Sequence, residues 1–124
     1  ACYFDFYSID VEVLNHDDWV QQHEQIVNFL SYSFRGGTDL EPALKKALQM
    51  LQNEDYILAD VLVISDFEIR DLSLETITAI NSVRERNTLF HSLEVGWGGN
   101  NVLLAQFDAC WYYDHHTNRI QRRK

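Results

Sequence analysis

A chain of 124 residues with 46% hydrophobic side chains has material for one α/β domain with a core and too little for two. The formal charge is −9, and Arg119, Arg122, Arg123 and Lys124 are four of its ten basic residues, which leaves residues 1–118 with six basic against nineteen acidic groups, a net of −13. Such an acidic body repels a phosphate backbone, no apolar stretch approaches the ~20 residues that span a bilayer, and no basic n-region precedes a cleavable apolar segment, so the expectation is a soluble domain without a nucleic-acid partner.

Ala1 leads directly into the apolar run Cys2, Tyr3, Phe4, Phe6 and Tyr7, which has the look of a cut edge. Cys2 to Tyr7 and Val11 to Leu14, with Ser8 to Asp10 between them, predict two strands in a hairpin. From Asp17 the apolar residues Trp19, Val20, Ile26, Val27, Leu30 and Phe34 fall at helical spacing, with His23 on the same stripe as a residue of the core edge. Arg35-Gly36-Gly37 breaks that helix. A second begins at Thr38 or Asp39 and runs to about Asn53, with Leu40, Ala43, Leu44, Ala47, Leu48 and Leu51 on its apolar face.

Val61, Leu62, Val63 and Ile64 are an unbroken, mostly β-branched run that predicts a strand buried on both faces of a parallel sheet, ending in Ser65-Asp66. A third helix is expected from about Ser73 to Asn87, with Leu74, Ile77, Ile80 and Val83 inward. Leu89 to Val95 reads as a strand, Gly96 to Asn101 as a glycine-rich loop, Val102 to Phe107 as a short helix and Cys110 to Tyr113 as a last strand. The basic end reads as a solvated terminus. Cys2 and Cys110 are two thiols far apart in apolar runs, which suits buried free cysteines in a reducing compartment. The alternation predicts an open, mostly parallel, doubly wound sheet with helices on both faces.

In such sheets ligands lie beyond the carboxyl ends of the strands. That edge collects Asp66 to Arg70 and Gly96 to Asn101, and Gly36-Gly37-Thr38 at a helix start is a candidate to join them. The sequence has no Ser-His-Asp or Cys-His constellation of convincing spacing, no phosphate loop and no dinucleotide fingerprint. Thr38 and Asp66 remain, a hydroxyl and a carboxylate suited to a hard, oxygen-seeking cation. Each has a purely structural alternative. Thr38-Asp39-Leu40-Glu41 matches a capping box, although Pro42 favours Asp39 as the cap, and Asp66 at a strand end is satisfied equally well by backbone N–H groups.

FRGGTDL, followed after an amphipathic helix by DVLVISDF, resembles the second and third metal motifs of von Willebrand factor A (VWA) domains. Through FHSLEV and QFDACWYYD the likeness extends to the VWA domain of bacterial ViaA-type proteins. The resemblance implies a metal-ion-dependent adhesion site for Mg²⁺, with Thr38 and Asp66 among its ligands. It also implies a cytoplasmic, non-enzymatic module whose partner is a MoxR-class AAA+ ATPase. The Asp-x-Ser-x-Ser loop of that family is absent, so residues 1–124 correspond to a partial VWA domain lacking the expected first central strand. Weak or no Mg²⁺ binding and self-association of the chain are then the expectations. Phe67 and Trp97 are assigned to a partner-binding rim at the same edge; burial in the core is the alternative for both. A second function class is a Mg²⁺-dependent phosphohydrolase of haloacid dehalogenase type, whose second Asp is replaced here by Glu68, and a third is an interaction domain that uses no metal.

Overall fold

The computed structural model describes residues 2–3, 12–13, 20, 22–24, 27–28, 39–96 and 98–124. Of the expected hairpin, β1 (Cys2–Tyr3) and β2 (Glu12–Val13) pair antiparallel with Cys2 opposite Val13, and the rest of its predicted residues lie outside the described ones. The described residues of the segment 20–28 are helical, and among them Val20, His23 and Val27 are exposed, so these three lie off the core that the helical spacing predicts for them.

Helix α1 (Glu41–Met50) starts later than predicted. Asp39 Oδ1 accepts from the Glu41 N–H at 3.1 Å, and Pro42 falls in the first turn, where a missing N–H loses no helical bond. Leu40, Ala43, Leu44, Leu48 and Leu51 are buried on one stripe. A short 3₁₀ turn (Glu54–Tyr56), capped by Asn53, leads to β3 (Val61–Ser65). Helix α2 (Leu74–Arg84) starts at a Ser73 cap whose side chain accepts from the Thr76 N–H. β4 (Phe90–Glu94), the single-turn helix α3 (Asn101–Leu104), β5 (Ala109–Asp114) and β6 (Arg119–Arg122) complete the order.

β3, β4 and β5 are parallel neighbours and β6 adds antiparallel to β5, giving the order β3-β4-β5-β6, while among the described residues β1 and β2 pair with each other and not with this sheet. This is an α/β arrangement around an open, mostly parallel sheet. Register decides which residues share a face. Val63, Ser92 and Cys110 form one row, all buried, with Phe90 and Glu94 on the same side. Leu44, Leu48, Ile80, Val83, Leu103, Leu104 and Phe107 from the three helices close over that side. The opposite row is Ile64, Leu93, Trp111 and Arg122.

That second face corrects the expectation of a strand buried on both sides. Leu62 and Ile64 are 57% and 60% exposed, because all three helices of the described core lie over the Val63 side. Leu74, at the first position of α2, is also exposed rather than inward. Nor is the basic end a loose terminus. Residues 119–122 pair with β5, Arg122 lies over the Trp111 ring at 5.5 Å, and Lys124 Nζ donates to the Phe107 carbonyl at 2.8 Å. Cys110 is buried and free, as expected, with its thiol directed at the Leu104 carbonyl.

Candidate functional site

The carboxyl ends of β3 and β4 carry the candidate residues. Directly after β3 the chain turns sharply: Ser65 Oγ accepts from the Phe67 N–H at 3.1 Å, and Asp66 Oδ1 accepts from the Glu68 N–H at 3.1 Å and from Ser65 Oγ at 3.4 Å. Asp66 is exposed, and its second oxygen, Oδ2, accepts no hydrogen bond among the described residues. Phe67 sits at φ 56°, a left-handed conformation that is rare for a bulky side chain and that clusters at functional sites.

Phe67 is also the point at which the assignment to a partner-binding rim fails. Its side chain is 0% exposed and stacks edge-on against Phe107, with ring centroids 5.6 Å apart. The left-handed turn swings the ring under the sheet edge and leaves Asp66 outside it. Ile69 is buried in the same cluster. Trp97 and Thr38 lie outside the described residues.

Two ties join the start of α1 to the segment after Asp66. Asp39 Oδ2 pairs with Arg70, and Glu41 accepts through Oε1 from the Ser73 N–H and through Oε2 from Thr76 Oγ1. Burial disfavours the Glu41 carboxylate, but the bonds from Thr76 and Ser73, with Lys45 nearby, outweigh it and hold its pKa below the ordinary carboxylate value. The glycine-rich loop covers the same edge from the β4 side. Asn100 N–H donates to the Phe67 carbonyl at 2.8 Å, and Asn100 Nδ2 donates to Asp71 Oδ1 at 2.7 Å and to the Ile69 carbonyl at 3.1 Å. Its Oδ1 accepts from the Val102 and Leu103 N–H groups and so caps α3. Asn100, Asp39 and Arg70 escape the search for chemical motifs. The residues do mark their places, Asp39 as the cap that Pro42 favours, Arg70 at the end of the segment after β3 and Asn100 before the helical pattern of residues 102–107, but not their bonds to one another.

Mg²⁺ takes six oxygen ligands. Asp66 suits such an ion in kind, being an exposed carboxylate with one unpaired oxygen, but among the described residues no three His, Cys, Asp or Glu side chains converge. These residues alone do not make a Mg²⁺ shell. Among the described residues no helix is long and apolar enough to cross a membrane.

In comparisons with known proteins the chain is similar to the Regulatory protein ViaA of Edwardsiella ictaluri (strain 93-146), at 36% identity over 92 residues. The matched part is 73% of this chain and 19% of that relative, so the chain spans about a fifth of the relative's length. No family model matches the chain, and no solved structure matches it significantly.

Proposed function

We propose that this chain is part of a VWA domain in a ViaA-type regulatory protein, a module that binds other proteins and transforms nothing. The observation that supports this most is the joint one: similarity to a regulatory protein over most of the chain, and an exposed Asp66 on a strained, tightly braced turn at the carboxyl edge of a parallel sheet. In this reading Asp66 and Thr38 are two ligands of a Mg²⁺ ion, and the remaining oxygens come from an Asp-x-Ser-x-Ser loop and its strand, neither of which occurs in residues 1–124. That strand has a natural place beside β3, whose outer edge pairs with no described strand. Held there, Mg²⁺ would supply an open coordination position for one carboxylate of the partner.

The partner in this reading is a MoxR-class AAA+ ATPase, which supplies the ATP hydrolysis, in the cytoplasm. The test is retention of such an ATPase on the immobilised longer protein, with Mg²⁺ or with a chelator. Asp66→Ala should abolish the Mg²⁺-dependent part of that retention while leaving the unfolding midpoint within a few degrees, because Asp66 is exposed. Retention that ignores both the chelator and Asp66→Ala leaves only an interaction domain that uses no metal. Turnover of an aryl phosphate, lost in Asp66→Asn, would instead make the chain a phosphohydrolase.

A further inference from the structure

Glu94, the last residue of β4, has no role in the proposed function, yet its side chain is a carboxylate only 1% exposed. A buried charge is costly unless it is compensated, and two groups compensate this one. The Gly99 N–H donates to Oε1 at 2.9 Å. Oε2 has no hydrogen bond of good geometry and is held by the charge of Arg123, whose Nη1 lies 2.8 Å away. Gly99 in turn packs directly on the Asp66 turn. A methyl group there would lie 2.7 Å from Glu94 Oε1 and 3.0 Å from both the Asp66 carbonyl oxygen and Phe67 Cβ, so a side chain would have to displace the Glu94 carboxylate and press on the Asp66 turn.

The links form a continuous chain from the end of the sequence to the candidate site: Arg123, Glu94, Gly99, then the Asp66 and Phe67 backbone, with Asn100 bonded to the Phe67 carbonyl alongside. We propose that the Arg123–Glu94 pair fastens the C-terminal strand to the Asp66 edge, which makes Arg123 a positioning residue for the Asp66 turn. The positioning role rests on the reading of Asp66 as a site residue; the mechanical link does not. Among the described residues β6 pairs on one side only and, unlike the other edge strand β3, is exposed along its whole length, so little burial opposes drawing it away. Arg123 over the Tyr112 ring at 5.1 Å, together with the grip of Lys124 on the Phe107 carbonyl, opposes that. A partner that draws residues 119–124 off β5 takes the cation from Glu94, and the glycine loop then loosens over Asp66.

Native-state amide exchange on the chain tests the link, with Glu68, Gly99 and Asn100 reporting the edge and Val61 and Phe90 reporting the body of the sheet. Arg123→Ala should speed exchange at the edge amides by about tenfold relative to the two reference amides. Adding Glu94→Gln should bring the edge amides back to within about threefold of the unaltered chain, because an amide oxygen still accepts from Gly99 and needs no cation. An unchanged edge, an equal rise at all five amides, or a double variant as loose as Arg123→Ala would each overturn the proposal. Retention of a MoxR-class ATPase by the longer protein separates the two layers. If Asp66→Ala abolishes retention and a demonstrably loosened Arg123→Ala does not, the positioning role fails. If Asp66→Ala retains the ATPase, the site reading fails and takes the positioning role with it, while the exchange result stands.

Discussion

At Phe67 a left-handed backbone that costs an L-residue about 1–2 kcal/mol is held in place by burial of the whole ring against Phe107. Phe67→Ala removes the compensation and keeps the strain, so it should destabilise the chain by about 3–5 kcal/mol in urea unfolding. A loss below 1 kcal/mol would mean that the ring is not in the core. The Asn100 side chain caps α3, braces the Ile69 carbonyl and donates to Asp71, while the residue's backbone N–H donates to the Phe67 carbonyl. Its replacement by Ala should cost about 1–2 kcal/mol, in the range of a lost helix cap. The effect should be largest in amide exchange at Val102 and Leu103, whose N–H groups lose the Oδ1 acceptor, whereas the bond from the Asn100 backbone N–H to the Phe67 carbonyl is kept.

At the scale of elements, the start of α2 is capped from outside as well as from within. Ser73 satisfies the Thr76 N–H, and the Ser73 N–H is taken by Glu41 of α1, the part that a glutamate three residues after the cap fills in a capping box within one helix. The negative charge also sits where the α2 dipole favours it. Because the folded pKa of Glu41 is depressed, its contribution to stability is complete above the ordinary value of 4.5 and disappears as pH falls through the lower, folded value. Asp114, which holds the turn between β5 and β6 by accepting from Thr117 Oγ1 and the His116 N–H, is lowered in the same direction. The expected outcome is a midpoint that falls with acidification below about pH 4.5. In Glu41→Gln the fall should be shallower, starting from a lower stability at neutral pH. An identical acid slope in the two proteins would show that the tie between α1 and α2 contributes nothing.

At the scale of the molecule, the decisive feature of the described residues is that α1, α2 and α3 all cover one side of the sheet while Leu62 and Ile64 stand exposed on the other. Leu62 and Ile64 stand exposed on β3, whose outer edge pairs with no described strand, and such edges recruit further strands. The isolated chain is therefore expected to associate at high concentration. Ile64→Lys should restore the 14.6 kDa monomer in light scattering with little change in the unfolding midpoint, whereas Val63→Lys, on the covered side, should not fold. A monomeric unaltered chain at millimolar concentration would defeat the prediction. Much of this architecture is legible in the residues alone, because helical spacing and β-branched runs are local properties. The stripe of α1, the strands β3 to β5, the free buried Cys110 and the position of Asp66 at a carboxyl edge all follow from them. Contacts between distant segments are not local, and the tertiary structure alone decided those. An unbroken apolar run states that β3 is apolar without stating which of its faces the helices cover. Spacing places Phe67 beside Asp66, but only the left-handed turn determines that its ring goes inward. Four basic residues at a chain end read as solvated until Glu94, buried 29 positions earlier, supplies the charge that draws one of them back.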